Sequence, residues 1–327
     1  MARIFVVGSM NSDTFLKVEN FVEPGETISA LSSHTALGGK GLNQAVAAAR
    51  MGIPVTMVAA LGRDAVGDAV AAELAAEENL DMDAVLRVSE PTGQAMIQSD
   101  ADGENAIVVV AGANAANTPE NVVERLAAVQ SGDIVVCQLE IPEPAVAAAL
   151  SEAKKRGATT VLNAAPAAPV GHLLENVDVL IVNETEADTI LGTKVTDRAQ
   201  QLHLRYGGSI VVTLGSHGCQ YIDAYLPDAD VKADALPAHH VDVVDTTGAG
   251  DAFVGAFAAA LAVGESLATA ARWGTALGAI ATGASGAQGY TASRADVVAL
   301  AGVGAGSAAG AGATGAAGTP GATGSDN

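Results

Sequence analysis

The sequence between residues 134 and 162 reads IVVCQLEIPEPAVAAALSEAKKRGATTVL. It begins with the apolar run Ile134–Cys137, continues through an Ala-rich run at 143–156 and ends with a second apolar run at 160–162. Short β-branched runs that alternate with helical runs are typical of parallel strands buried on both faces, because the crossover helices cover the sheet. These residues therefore predict a strand, a helix and a second strand of a parallel sheet.

The same alternation runs through most of the chain. Further buried strands are predicted at residues 4–7, 55–60, 179–182 and 210–213, and further helices at 43–51, 66–77 and 251–262. The pattern predicts one α/β domain over residues 1–301. Residues 302–327 are nearly all Gly, Ala, Ser and Thr, so they lack the large apolar side chains that would offset the entropy of ordering. We expect them to form a disordered tail.

Two segments interrupt this rhythm, at residues 14–36 and 93–110. Both alternate between polar and apolar residues and contain turn pairs, Pro24-Gly25 and Asp102-Gly103. Alternation around an Asp-Gly pair is typical of a β-hairpin. The two segments therefore predict a small antiparallel sheet attached to the α/β body. It would serve as a lid over a pocket or as a dimerisation surface.

Charge and cysteine content exclude several classes of protein. The 327 residues include 16 basic and 37 acidic side chains, a net charge of −21 with His neutral. A protein that binds nucleic acid or an anionic membrane needs a cationic face, so neither partner is expected. Two cysteines cannot form a disulfide framework, and no apolar run is long enough for a signal peptide or a membrane span. We expect a cytoplasmic protein.

The strongest candidate for a catalytic segment is residues 244–253, VDTTGAGDAF, in which a glycine turn precedes an Ala-rich helix. The backbone N–H groups of Gly248, Ala249 and Gly250 would point together at the helix N-terminus and bind a phosphoryl group as an anion hole. Asp251 stands at its edge, where it would accept a proton from an attacking hydroxyl. The alternative is that Asp251 only caps the helix.

Four further segments follow predicted strands or precede predicted helices. Residues 38–43, GGKGLN, bring backbone and donors close to a small ligand, or form an ordinary glycine turn. Residues 8–13, GSMNSD, offer Asn11 and Asp13 to sugar hydroxyls, or form a local turn. Residues 183–186, NETE, suit a magnesium ion held through water, or a capping box, or both. Residues 213–218, TLGSHG, would line a nucleotide or simply turn the chain.

In order and spacing these segments resemble the ribokinase, or PfkB-type, family of carbohydrate kinases. Residues 38–62 are similar to the N-terminal signature of the family, and residues 245–251 are similar to its C-terminal signature. The resemblance runs from about residue 3 to about residue 300 and also includes Gln138-Leu139-Glu140 and residues 111–114. It implies a three-layer α/β/α, Rossmann-like body with a mainly parallel sheet and a small β lid. No family pattern is recognised at residues 219–240.

The resemblance also implies an activity and a set of site residues. The activity is ATP-dependent transfer of a phosphoryl group to the 5-hydroxyl of D-ribose, with Asp251 as general base and Gly248, Ala249 and Gly250 as the anion hole. The cofactors are Mg²⁺ and K⁺. The sugar would contact Asn11, Asp13, Gly39, Lys40, Gly41, Asn43, Glu140 and Asp251. The nucleotide and magnesium would contact Asn183, Glu186, Thr213, Gly215, Ser216, Gly218, Gly250 and Thr275. The potassium ion would lie at Asp245, Thr247, Ala281, Ala284 and Gly286.

Two alternatives remain. A kinase of the same fold would act on another pentose or on a nucleoside, such as deoxyribose or adenosine. A nucleoside needs an apolar or aromatic slot near the lid, and the lid segments supply mainly Phe15 and Phe21. A non-catalytic sugar sensor would have lost Asp251 or the glycine turn, and both are present. An exposed lid edge also predicts a homodimer.

Overall fold

The computed structural model describes residues 2–101, 104–225 and 233–302. The strands in these ranges are β1 (Ile4–Val7), β2 (Asn11–Lys17), β3 (Ser32–Gly38), β4 (Val55–Gly62), β5 (Leu80–Asp81), β6 (Val85–Val88), β7 (Gln94–Ser99), β8 (Asn105–Val110), β9 (Ile134–Cys137), β10 (Thr159–Asn163), β11 (Val179–Asn183), β12 (Ser209–Thr213), β13 (Cys219–Ile222) and β14 (Asp234–Leu236). The α-helices are α1 (Lys40–Arg50), α2 (Ala65–Leu74), α3 (Pro119–Arg125), α4 (Glu143–Lys155), α5 (Glu184–Leu191), α6 (Arg198–Tyr206), α7 (Ala249–Ala262), α8 (Leu267–Thr282) and α9 (Arg294–Leu300). Short 3₁₀ helices span Gly112–Ala116, Gly171–Asn176 and Gly215–His217.

The central sheet has the strand order β14-β13-β12-β11-β10-β9-β1-β4-β5, and β6 pairs with the end of β4. All pairs from β12 to β5 are parallel, while β13 and β14 are antiparallel to their neighbours. The predicted parallel sheet is therefore confirmed, with each predicted strand present. The antiparallel pair lies in the region where the sequence showed no recognisable pattern.

Helices cover both faces of this sheet. Successive residues of each strand point to opposite faces and therefore contribute to two separate cores. In β1, Ile4 and Val6 belong to the core that packs against α1, α2, α7, α8 and α9. Phe5 and Val7 belong to the core that packs against α3, α4, α5 and α6. The three-layer α/β/α architecture is thus confirmed.

A second sheet, the lid, has the order β3-β2-β7-β8. The pairs β2–β3 and β7–β8 are antiparallel, and the middle pair β2–β7 is parallel. The lid was predicted at residues 14–36 and 93–110, and its strands begin slightly earlier, at Asn11, and end at Gly38 and Val110. The strands of the predicted hairpin pair as expected, but its Asp102-Gly103 turn lies outside the described residues.

The helix boundaries differ most from the predictions at the start of α1 and the end of α2, and by one or two residues at other ends, such as the start of α7 at Ala249. Helix α1 begins at Lys40 instead of residue 43, since Gly39 is its N-cap residue and Gly41 already belongs to its first turn. Helix α2 ends at Leu74 instead of residue 77, where Ala76 and Glu77 form tighter turn bonds to Glu73 and Leu74. Among the described helices, none is both long and apolar enough to span a membrane. The predicted tail beyond Gly302 lies outside the described residues.

Candidate active site

The predicted site residues follow the carboxyl ends of neighbouring parallel strands. Ser9 and Asn11 follow β1, Glu140 follows β9, and Asn183 ends β11. These strands lie near one another in the sheet, so the polar residues that follow them meet along one edge. Ligands of open α/β sheets bind at this edge. The N-terminus of α7 adds Asp251 to the same cluster.

The Asp251 carboxylate is held by two consecutive residues of α1. Its Oδ2 accepts a hydrogen bond from Asn43 Nδ2 at 3.0 Å, and its Oδ1 accepts one from Gln44 Nε2 at 2.9 Å. Gly248 is the N-cap residue of α7, so Asp251 does not cap this helix. Asp251 is 7% exposed. Since each carboxylate oxygen has a second lone pair, both oxygens retain the capacity to accept a proton from a bound hydroxyl.

The glycine turn before α7 supplies backbone donors. Gly248 has a φ of +75°, the left-handed conformation that glycine adopts without strain. Of the three predicted donors, the N–H of Ala249 is already engaged, because it donates to the carbonyl of Thr246 at 3.2 Å to close the turn. The prediction that all three amides bind an anion is corrected at Ala249. The amides of Gly248 and Gly250 are the remaining donors.

Glu140 and Lys40 are joined to each other within the same cluster. The Lys40 backbone N–H donates to Glu140 Oε2 at 2.8 Å, and the Ser9 hydroxyl donates to the same oxygen at 2.6 Å. Burial by itself would lower the pKa of the Lys40 ammonium, but the carboxylates of Asp251, Glu140 and Glu186 raise it above its ordinary value. Lys40 is therefore a fixed positive charge among acids, suited to a hydroxyl or a phosphoryl oxygen.

Asn11 and Asp13 extend from the start of the lid toward this cluster. Asn11 Oδ1 accepts a hydrogen bond from Asn114 Nδ2 at 2.7 Å. Burial raises the pKa of Asp13 to about 6, and the Glu140 charge contributes in the same direction. A β-carbon at Gly38 would lie 1.9 Å from Asp13 Oδ2, so only glycine leaves room for this carboxylate. Asp13 and Glu140 are thus acceptors on one side of the site.

Asn183 and Glu186 form the predicted capping box of α5. Asn183 Oδ1 accepts the Glu186 N–H at 2.9 Å, and Glu186 Oε2 accepts the Asn183 N–H at 2.8 Å. Burial raises the pKa of Glu186, although the Asn183 N–H and Lys40 act to lower it. No group of three or more His, Cys, Asp or Glu side chains in the described part of the chain could enclose a metal. A magnesium ion held mainly through water fits this sparse set of carboxylates.

Asp245 bonds two of the other four predicted potassium ligands, Thr247 and Gly286. Its carboxylate accepts the N–H of Thr247 and the N–H of Gly286, both at 2.8 Å, and so connects the segment before α7 with the loop after α8. Burial would raise the pKa of Asp245, but these hydrogen bonds lower it below its ordinary value. Ala281 lies in the last turn of α8, and Ala284, in the loop that follows, donates its N–H to the Ala281 carbonyl at 3.2 Å. Carboxylate and backbone oxygens fit a hard monovalent cation.

The residues predicted to bind the nucleotide lie on several separate elements. Thr213 pairs with Asn183 across β11 and β12, so the turn that follows it starts beside the capping box. Gly215 and Ser216 form an exposed 3₁₀ turn that closes at Gly218. The hydroxyl of Thr275 donates to the Ala271 carbonyl at 2.8 Å and is 3.6 Å from Cys219 Sγ. Its polar atom is therefore engaged in the helix and is not presented to a ligand.

Several polar residues that support the site, all buried except the half-buried Gln288, were not among the predicted site residues. They are Ser9, Gln44, Asn114, Gln138, Asn163 and Gln288. Gln288 Nε2 donates to Asn43 Oδ1 at 2.8 Å and so connects the loop after α8 to the cluster around Asp251. In the sequence, the only indication of such a role is a polar side chain next to a predicted site residue or at the end of a buried strand. Such residues are too common on surfaces for that signal to be decisive.

Known proteins resemble this chain in sequence and in fold. Residues 1–293 match the pfkB family carbohydrate kinase model. A ribokinase from Staphylococcus aureus (strain COL) is 38% identical over 268 residues, which are 79% of this chain and 86% of the relative. The structure of a ribokinase from Thermotoga maritima aligns with a TM-score of 0.82 at 33% identity, over 92% of this chain and 99% of the other.

A third relative was solved with ligands. The structure of Arabidopsis thaliana ribokinase complexed with ribose and ATP aligns with a TM-score of 0.81 at 33% identity. The alignment covers 92% of this chain and 99% of that structure. The family model spans both the lid and the segment that contains Asp251, so the match includes every part of the site described above. The chain belongs to the pfkB family of carbohydrate kinases.

Proposed function

We propose that this kinase transfers the γ-phosphoryl group of ATP to the 5-hydroxyl of D-ribose, with Asp251 as the general base. The observation that carries the proposal is the Asp251 carboxylate, fixed by Asn43 and Gln44 beside a glycine turn at a helix N-terminus. A sugar hydroxyl is a weak nucleophile, so a carboxylate within hydrogen-bond reach assists its attack. The relatives described above are ribokinases, and this supports ribose as the substrate.

The sugar would be recognised by acceptors and donors on both sides of Asp251. Asn11, Asp13 and Glu140 would accept hydrogen bonds from ribose hydroxyls, and Lys40 and Asn43 would donate to them. Ribose carries no charge, so specificity must come from paired hydrogen bonds in a site that excludes water. The backbones of Gly39 and Gly41 would form the floor. A β-carbon at either position would meet the Ser9 backbone, 3.0 Å from its oxygen for Gly39 and 2.6 Å from its nitrogen for Gly41, so glycine lets α1 begin close to the end of β1. Closure of the lid would limit hydrolysis of ATP by water.

The phosphates would be stabilised mainly by backbone amides and metals. The N–H groups of Gly248 and Gly250 would bind the transferring phosphoryl group, where charge develops. Bound Mg²⁺ would neutralise part of the charge of the ATP phosphates, and Glu186 would hold its water ligands. This arrangement explains how a chain with a net charge of −21 can bind ATP.

The remaining ligand residues would border these groups. Asn183, Thr213, Gly215, Ser216, Gly218 and Thr275 would line the nucleotide, Thr275 through its carbon atoms. Asp245, Thr247, Ala281, Ala284 and Gly286 would hold K⁺ next to the anion hole. Because Asp245 already bonds Gly286, a cation there would stiffen the turn that carries the two donor amides.

We further propose that the protein is a cytoplasmic homodimer that pairs through the lid. Strand β8 is at the edge of the lid, and all its residues are exposed. Ile107, Val108 and Val109 are each more than half exposed. An apolar edge strand is a template for association with another strand, and a second lid would cover it. Cys137 and Cys219, free and buried, suit a reducing compartment.

The decisive experiment is a coupled assay of ADP release with ATP and Mg²⁺, with and without K⁺, on ribose, deoxyribose, fructose and adenosine. We expect the highest kcat/KM with ribose and a higher rate with K⁺. A preference for deoxyribose or adenosine would retain the kinase reaction and overturn the substrate assignment. Absence of turnover on every acceptor, together with calorimetric binding of ribose, would support a sugar sensor instead.

A further inference from the structure

A chain of buried amide side chains ends at the proposed catalytic carboxylate. Gln44 is 1% exposed, and its Nε2 donates both to Asp251 Oδ1 at 2.9 Å and to Asn163 Oδ1 at 3.0 Å. Asn163 Nδ2 donates in turn to the carbonyl of Ile181 in β11 at 3.1 Å. Gln44 therefore connects Asp251 of α7 to two strands of the central sheet.

The orientation of the Gln44 amide is determined by Gln138. Gln138 Nε2 donates to Gln44 Oε1 at 2.6 Å, so the oxygen of Gln44 faces away from Asp251 and its two N–H groups face Asp251 and Asn163. If this amide were rotated by 180°, its oxygen would face a carboxylate oxygen, with no proton between them. Gln138 is fully buried, and within the described residues its Oε1 has no hydrogen-bond partner. Gln138 therefore joins this network through its amide nitrogen.

Close packing of the two helices makes the contact possible. A β-carbon at Gly255, one turn after Asp251, would lie 2.4 Å from Ala47 Cβ and 2.7 Å from the Gln44 carbonyl oxygen. Helix α1 therefore touches α7 nearly backbone to backbone. At this separation, two neighbouring amides of α1 can each reach one oxygen of the carboxylate, Asn43 on one side and Gln44 on the other.

We propose that Gln44 is a positioning residue for the phosphoryl transfer, oriented by Gln138. It prevents rotation of the Asp251 carboxylate about its Cβ–Cγ bond, so that the oxygen that receives the hydroxyl proton stays in line with the acceptor. Gln44 does not touch the sugar in this arrangement and acts only through Asp251. The inference rests on the proposed role of Asp251 as general base.

The first test is Gln44→Met, which keeps the volume of the side chain and removes the amide. We expect kcat to fall about tenfold or more, a fraction of the 10²-fold to 10⁴-fold effect of a general base, because a displaced base transfers protons less efficiently. The Kd for ribose, measured by calorimetry, should stay within about threefold, since every proposed sugar ligand remains. The control is Thr160→Val at the other end of β10, which also removes hydrogen bonds of a buried side chain. Thr160 Oγ1 donates to the Asn176 carbonyl at 2.7 Å and accepts the Asp178 N–H at 2.9 Å. It should lower Tm and leave kcat unchanged.

A double-mutant cycle separates this inference from the function on which it rests. If Gln44 acts through Asp251, then Gln44→Met should lower kcat in the wild-type background and have almost no effect in Asp251→Asn. An equal loss in both backgrounds, or no loss in either, would overturn the positioning role. If Asp251→Asn itself turns over normally, the general-base proposal fails instead.

Gln138→Met provides a second test should Gln44→Met not fold. It leaves Gln44 in place and removes the bond that orients it, so kcat should fall less than in Gln44→Met, with the Kd for ribose again retained. If both variants fold, the double variant should be no slower than Gln44→Met. Additive losses of kcat, or a fall in ribose affinity without a fall in kcat, would contradict the proposal that Gln138 acts through Gln44 and Gln44 through Asp251.

Discussion

The Asp13 carboxylate accepts the backbone N–H of Ala95 at 3.1 Å, so an acid on the sugar side of the site also joins β2 to β7 of the lid. The middle strands of the lid are thus connected by the same group that is proposed to bind the substrate. Since burial raises the pKa of Asp13 to about 6, this contact titrates close to neutral pH.

Substrate affinity should depend on the protonation of Asp13. Below pH 6 the group is largely protonated and loses acceptor capacity, so we expect KM for ribose to rise as the pH falls from 8 to 5. The measurement is the pH profile of KM, with Asp13→Asn as the comparison. The variant should have a high KM that no longer changes over this range. A wild-type KM that is flat between pH 5 and 8 would contradict the assignment.

The raised pKa of Asp13 also predicts that removal of its negative charge stabilises the folded protein. The pKa of Asp13 is higher in the folded protein than its ordinary value of 3.8, so the folded state binds the proton more tightly than the unfolded state. Its contribution therefore favours folding at low pH and declines as the pH rises from about 4 to about 6. Asp13→Asn should accordingly have a higher Tm than the wild type at pH 8 and little advantage at pH 4. Thermal unfolding at both pH values tests this.

Asp251→Asn should separate chemistry from binding. The amide occupies the same volume but cannot take the hydroxyl proton, so we expect kcat to fall by about 10² or more while ribose still binds. Single-turnover assays and calorimetry measure the two effects. Asp83→Asn, an exposed site away from the cluster, is the matched control and should behave as the wild type. Near-normal turnover of Asp251→Asn would remove this residue from the mechanism.

Gly255→Ala should disturb the contact between α1 and α7. The added methyl group meets Ala47 Cβ and the Gln44 backbone, so the helices must separate, at a cost of about 1–3 kcal/mol of unfolding free energy. Asn43 and Gln44 would then move away from Asp251, and kcat should fall as well. Gly283→Ala is the control, because its methyl group would meet only ordinary contacts, the nearest at 3.4 Å. Denaturant unfolding and kcat would be measured for both variants.

The proposed dimer contact at the edge of the lid can be tested by introducing a charged residue into β8. We expect wild-type protein to sediment as a dimer and Val109→Lys to sediment as a monomer, since Val109 is 64% exposed in β8 and a lysine there would prevent two apolar edges from meeting. Analytical ultracentrifugation over a range of concentrations is the measurement. If the wild type is a monomer at every concentration, the lid is not an interface.

Truncation after Ala301 should leave kcat and KM unchanged. Residues 302–327 contain no site residue and few large apolar side chains, and residues 1–301 are proposed to contain the whole kinase domain. Steady-state assays of the truncated and full chains make the comparison. A large fall in kcat on truncation would show that the tail contributes to the reaction.

The sequence by itself determined the class of fold and the chemistry at the ends of its elements. Runs such as Ile134–Cys137 predict buried strands, because burial on both faces requires a continuous apolar run. The glycine turn before Asp251 predicts a helix N-terminus with a carboxylate in its first turn. These properties depend on neighbouring residues, and for this reason the local pattern was sufficient.

Contacts between distant residues were decided only by the tertiary structure. Asn43 and Asp251 are 208 positions apart, and their bond depends on how closely α1 packs on α7. The parallel pairing of β2 with β7, the engagement of the Ala249 amide and the orientation of Gln44 by Gln138 likewise have no local pattern. The sequence does not distinguish a glutamine at the surface from a glutamine in the core. Its role is determined by which donors and acceptors the folded chain brings within 3 Å of it, and that distance is a property of packing.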